Sequence, residues 1–169
     1  MDFEKERLIQ KSKNKDPEAF TRLIDMHMQG MYKTARAILQ DDEDAADAIQ
    51  DTILACWEKL AGLKEDRFFK TWLTKILINN CYAITEKKKA FKLVEELPES
   101  AEETKEYDIE WKEALDTLSG EYRLIVVLFY SQGFRTKEIA KILGITDAAV
   151  RTRLTRAREQ LKKYYREEA

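Results

Sequence analysis

Apolar residues recur three and four positions apart along most of this 169-residue chain, and only five Gly and two Pro interrupt them. Side chains at that spacing share one face of an α-helix, whereas strand side chains alternate every second residue. An all-α fold is therefore expected. The scarcity of breakers excludes collagen, a 44% hydrophobic content excludes a wholly disordered chain, and two cysteines exclude a disulfide scaffold.

Three N-terminal helices are legible. Asp16-Pro17-Glu18 opens the first with a capping Asp, a Pro in the first turn and an acid at the positive end of the dipole. Its apolar face runs through Phe20, Leu23, Ile24, His27, Met31, Tyr32, Ala35, Ile38 and Leu39. Asp41 or Asp42 caps the second, whose stripe is Ala45, Ile49, Ile53, Cys56 and Leu60, with Gly62 at its end. Phe68 and Phe69 lead into the third, which carries Trp72, Leu73, Ile76, Leu77 and Ile84.

Residues 95–113 then hold nine acids against Lys105 and Lys112, with Pro98 near the start. Such a run resists packing and reads as a flexible acidic linker. The expected division is a helical domain over 1–92, a linker over 93–108 and a second helical domain over 109–169. In the last, Ser119 caps a helix containing Tyr122, Ile125, Val126 and Phe129, and Gly133 sits where a left-handed C-terminal residue belongs. The β-branched run from Arg123 to Tyr130 alone would pass for a strand, but its helical neighbours favour a helix.

The stretch from Thr136 to Leu154 has helix-turn-helix spacing: a short helix with Ile139, Ala140 and Leu143, the turn residue Gly144, then Thr146 capping a second helix. Val150, Leu154, Ala157 and Leu161 fall on the inward stripe of that helix. Ala148, Ala149, Thr152, Thr155 and Arg156 lie opposite, flanked by Arg151 and Arg153, with Thr136 and Lys137 at the start of the preceding helix. Small or hydrogen-bonding residues beside arginines suit the major groove. Ten basic residues face three acids between Arg135 and Arg166, so the formal net charge of −2 for the whole chain conceals a basic segment. The competing reading is a helical hairpin with a solvated basic face.

In the first domain, Asp44, Asp47, Gln50 and Asp51 share one helix face; by residue type alone this is a solvated surface, and it lacks the turn of a calcium loop. Arg67, Phe68, Phe69, Lys70, Trp72, Lys75, Asn79, Asn80 and Tyr82 mix aromatics with cations and amides around the start and middle of the third helix, followed by Lys87, Lys88 and Lys89, which suits unpaired bases. Phe69, Trp72 and Leu73 suit a core equally well. One histidine and two cysteines without zinc spacing point to no metal, and no phosphate loop or nucleophile motif points to an enzyme or a cofactor. Cys56 and Cys81 read as buried reduced thiols. With no signal-peptide core at Met1–Lys5 and no apolar run of about 20 residues, a cytoplasmic protein without membrane insertion is expected.

Asp16-Pro-Glu-Ala-Phe, Asp44-Ala-Ala-Asp-Ala-Ile-Gln-Asp, Phe69-Lys-Thr-Trp-Leu and the helix-turn-helix occur in that order. In this the chain resembles the extracytoplasmic-function (ECF) sigma factors, two-domain initiation subunits of bacterial RNA polymerase. The resemblance implies sigma domain 2 over 1–92 and sigma domain 4 over 109–169. It implies that Asp44, Asp47, Gln50 and Asp51 dock on the clamp of the polymerase largest subunit, with the flap of the second-largest subunit as a further partner. Lys64, Asp66, Arg67, Phe68, Lys70, Asn79 and Asn80 would capture the unwound −10 element. The second helix of the helix-turn-helix would read the −35 duplex, and the linker would thread near the RNA exit path. An anti-sigma factor, often membrane-anchored, is the implied regulator, monomer is the implied state, and no small-molecule substrate is expected. Members often place Asp then Arg after the Asn of the melting helix; here Ala83 and Glu86–Lys87 stand there, so these positions carry no assigned melting role. Ser119 stands where Pro is common. The competing function is a stand-alone helix-turn-helix regulator that binds duplex DNA without polymerase.

Overall fold

The computed structural model describes residues 2–92 and 109–168, which contain eight α-helices and no strand. The acidic linker expected over 93–108 lies outside the described residues. The chain divides into two compact units, Met1–Glu95 and Glu96–Ala169.

The first unit packs four helices: α1 (Phe3–Lys13), α2 (Pro17–Leu39), α3 (Asp42–Lys59) and α4 (Phe69–Lys92). Asp16 caps α2, its carboxylate accepting from the Glu18 and Ala19 amides at 3.1 and 3.2 Å. Asp41, the first of the two candidates, caps α3 through the Asp44 amide at 3.1 Å. Helix α3 gives way to a 3-10 turn, Leu60–Gly62, and a second such turn, Asp66–Phe68, leads into α4. Leu23, Ala35, Ala45, Cys56, Leu60, Phe69, Leu73, Leu77 and Cys81 meet in a single core. Each Leu-sized side chain so buried contributes about 1.5–3 kcal/mol. Trp72 is partly buried against this core, while Lys15 lies over the Trp57 ring at 4.4 Å and the Phe20 ring meets the same indole edge-on.

Helix α1 is absent from the expectations because only Leu8, Ile9 and Ser12 of its eleven residues are buried. Two apolar contacts are too few to make a periodic stripe. Ser12 closes on the Leu8 carbonyl at 2.6 Å, which satisfies its hydroxyl inside the core.

The Thr52 hydroxyl donates to the Ala48 carbonyl at 2.7 Å and accepts from Asn80 Nδ2 at 3.0 Å, tying α4 to α3. Cys56 and Cys81 are free and buried, and burial pushes both thiols up to about 12, so neither is a ready nucleophile.

His27 sits edge-on to Phe69 with ring centroids 5.1 Å apart, and its Nδ1 lies 2.8 Å from the Leu23 carbonyl. Burial, with smaller contributions from Lys5 and Lys70, pushes its pKa from 6.5 down to about 4, against the opposing pull of the Leu23 carbonyl. The unfolded chain therefore takes up this proton near pH 6.5 while the folded chain resists it until about pH 4. Stability from this group is complete above pH 6.5 and declines as pH falls toward 4, by up to about 3 kcal/mol. Thermal melts between those limits should show a steeper loss for wild type than for His27→Gln; equal slopes would remove the histidine from the account.

The second unit contains α5 (Ile109–Asp116), α6 (Gly120–Val126), α7 (Thr136–Leu143) and α8 (Asp147–Glu168), with a π turn over Val127–Ser131 continuing α6. The β-branched run from Arg123 is thus helical, as expected. Ser119 caps α6 through the Tyr122 amide at 3.5 Å. Gly133 and Gly144 take φ of +74° and +69°.

Gly144 lets the Ile145 amide reach back to the Ala140 carbonyl at 3.1 Å and closes the turn between α7 and α8. A Cβ there would meet nothing within 4 Å, so the cost of substitution is one of backbone conformation alone. Gly144→Val should lower the stability of this unit by about 1–2 kcal/mol and Gly144→Asn by less. A thermal melt checks the order, and equal melting points for the two variants would contradict it.

Candidate nucleic-acid interface and docking face

Helix α8 is positioned by Val150, Leu154, Ala157 and Leu161, all buried, which fixes the rotation of the helix about its axis. Thr146 caps its N-terminus, the hydroxyl accepting from the Ala149 amide at 3.1 Å. On α7, the Arg135 amide donates to Glu138 Oε1 at 3.0 Å. With the starts of both helices capped, Ala148, Arg151, Thr152, Thr155 and Arg156 are exposed and Ala149 is half-buried. Lys137 is exposed and Thr136 half-buried at the start of α7.

The arginines differ in freedom. Arg151 pairs along the helix with Asp147 at 3.2 Å, yet its side chain is 65% exposed and free to turn outward. Arg153 is 28% exposed and is held by Glu121 of α6 at 2.5 Å. Arg158, outside the set expected from sequence, donates to the Tyr130 hydroxyl at 2.6 Å and lies over the Phe129 and Tyr130 rings.

Helix α3 buries Ala45, Ala48, Ile49, Thr52 and Cys56 and turns Asp47, Gln50 and Asp51 outward. Leu54 is 57% exposed, seven residues after Asp47 and so on the same face. Sequence reasoning passed over it; an isolated apolar residue in register with a polar face was the available signal. Asp44 is different: it forms an ion pair with Lys88 of α4, and its side chain is only 17% exposed.

The segment before α4 exposes Lys64, Arg67 and Phe68. Arg67 pairs with Glu65 at 2.8 Å and lies 4.7 Å from the centre of the Phe68 ring. Lys70 is half-buried, Asn79 exposed, and Asn80 is the residue bound to Thr52. Lys75, Asn79 and Tyr82, all within the aromatic-basic set read from the sequence, form an exposed stripe on α4. Asp66 turns toward α1 and bonds to Lys13 and Gln10.

Two family models match these units: Sigma-70 region 2 over residues 23–90 and Sigma-70, region 4 over residues 109–161. The ECF RNA polymerase sigma factor SigM of Mycobacterium tuberculosis is 30% identical over 150 residues, spanning 86% of this chain and 76% of that protein. SigW of Bacillus subtilis, also an ECF RNA polymerase sigma factor, is 27% identical over 94% of this chain and 95% of its own. Among solved structures, CnrH in complex with the cytosolic domain of CnrY superposes with a TM-score of 0.74 at 25% identity, covering 98% of this chain and 99% of CnrH.

A region 2 unit followed by a helix-turn-helix region 4 unit defines a sigma-70-type initiation factor. Within that class, the chain belongs to the ECF RNA polymerase sigma factor family.

Proposed function

We propose that this sigma factor divides its work among three outward faces. Asp47, Gln50 and Asp51 of α3 dock on the clamp of core RNA polymerase, with Leu54 as an apolar neighbour and Asp44 holding the helix to α4. Lys64, Arg67, Phe68, Lys70 and Asn79 meet the unwound −10 element. Ala148, Ala149, Arg151, Thr152, Thr155 and Arg156 of α8 enter the major groove of the −35 duplex, with Thr136 and Lys137 beside them. Region 4 also engages the polymerase flap.

The observation that carries this reading is the opposite charge of two helices that each bury one stripe. The outward face of α3 is acidic and that of α8 is basic. Neither face is needed by the core beneath it. Two weak DNA contacts held on one polymerase act as a bivalent reader, since the second becomes effectively intramolecular. Chemistry belongs to the polymerase, and this chain supplies choice of start site and helps to open the duplex.

No helix among the described residues is long and apolar enough to cross a membrane. CnrH was solved bound to the cytosolic domain of CnrY. By analogy an anti-sigma factor covers the docking and DNA-reading faces here.

Transcription from a pool of genomic fragments by core polymerase, with and without the chain, tests the reading. New transcript starts that require both proteins are expected. Duplex binding by the chain alone, with no new starts on adding polymerase, would favour the stand-alone regulator.

A further inference from the structure

The turn that leads into α4 has one residue tied inward and two facing out. Asp66 Oδ1 accepts from Lys13 Nζ at 2.7 Å, and its Oδ2 accepts from Gln10 Nε2. Lys13 Nζ also donates to the Leu63 carbonyl at 2.7 Å. The Lys13 and Asp66 side chains are 17% and 11% exposed, so water and salt screen this pair weakly. Phe68 and Arg67, by contrast, are 45% exposed and carry a 67% exposed side chain, respectively.

Both donors come from α1, which precedes the stretch matched to region 2. They fasten the segment at two points, Leu63 and Asp66, just where the chain has no continuous helix to hold it. Losing Lys13 leaves a carboxylate and a carbonyl that must turn toward water to be satisfied. Arg67 and Phe68, the next two residues, move with Asp66.

We infer that Gln10 and Lys13 of α1 are positioning residues for −10 recognition, setting the conformation of the 63–68 segment through Asp66, which itself touches no base. The inference rests on the assignment of Arg67 and Phe68 to the −10 element. An unstacked base is selected by the shape and hydrogen bonds of the surface that receives it. A loosened segment therefore loses discrimination between bases. Bulk attraction for the strand persists, because Lys13 is engaged within the fold and neutralises no phosphate.

The test uses holoenzyme made from core polymerase and the full chain. A single-stranded pool with a randomised central block is bound, and bound and free strands are sequenced; salt dependence and affinity for core polymerase are measured beside it. Lys13→Met combined with Gln10→Ala should cut the preference for wild-type-selected sequences by about tenfold. Core affinity and salt slope should stay unchanged, and Lys13→Arg should retain most of the preference. Phe68→Ala should lose both preference and strand affinity. Asp66→Asn carries the same comparison should the α1 variant fail to fold, as checked by circular dichroism. Wild-type preference in the α1 and Asp66 variants, with loss in Phe68→Ala, would overturn the α1 inference and leave the −10 assignment standing. Wild-type behaviour in all of them, Phe68→Ala included, would overturn both.

Discussion

Reversing two carboxylates, Asp47→Lys with Asp51→Lys, is expected to weaken binding to bacterial core RNA polymerase by about a hundredfold or more. Both residues are exposed on α3, one turn apart, and neither joins an ion pair among the described residues. Each reversal replaces an attraction toward a basic partner with a repulsion, and like charges brought together at an interface cost several kcal/mol. Every 1.4 kcal/mol is a factor of ten in affinity. Folding should be almost untouched, since exposed substitutions away from caps and buried pairs usually stay within about 0.5 kcal/mol. Equilibrium binding of labelled chain to core polymerase, with a melt of each variant, separates the two effects. Asp44→Asn is the informative companion: it removes the closer of the two carboxylate partners of Lys88, the other being Asp41 at 3.9 Å, and should cost stability before it costs docking. Binding unaffected by the double reversal would retract α3 as the docking face while leaving family membership intact.

Much of this architecture is legible in the sequence because burial follows periodicity. The stripes on α2, α3 and α8 name their own buried residues, and Asp16, Ser119 and Thr146 announce the helix starts they cap. Two left-handed glycines mark the turns that flank α7. Such features are local: each is decided within about one helical turn. What sequence leaves hidden is long-range. Whether Asp66 faces solvent or a lysine 53 positions earlier depends on where α1 packs, and α1 has too few apolar residues to declare itself. Asn80 resembles a base-reading amide by type, but its bond to Thr52 lies 28 positions back in the chain. Arg153 belongs to the same basic cluster as Arg151 and Arg156 in sequence, and only the fold of the second unit places Glu121 against it. A charged residue's type gives its possible chemistry; the partner chosen from elsewhere in the chain decides which chemistry is used.

That difference among the arginines of α8 sets up a sharp contrast in how they should respond to mutation. Arg151 and Arg156 are exposed on the outward side, and the double change Arg151→Ala with Arg156→Ala should weaken binding of the holoenzyme to −35 duplex about 10- to 100-fold. If both meet phosphates, the loss is uniform across sequences, and the slope of log affinity against log salt flattens by about two, at roughly 0.9 per phosphate. Thr152→Ala should instead change base preference and leave that slope alone, because a hydroxyl reading a base edge releases no counterion. Arg153→Ala should do neither at first hand. It frees Glu121 from a partly buried pair, so its expected signature is a lower melting temperature of the second unit, with a near-normal salt slope. Titrating a promoter duplex and base-substituted versions of its −35 element with each holoenzyme at several salt concentrations, alongside melts of the free chains, resolves all three. A salt slope that flattens as much in Arg153→Ala as in the double variant would mean that the Glu121 pair opens on DNA and that all three arginines reach the backbone. An unchanged slope in the double variant would move the phosphate contacts off α8, and Lys137 at the start of α7 would be the next cation to test.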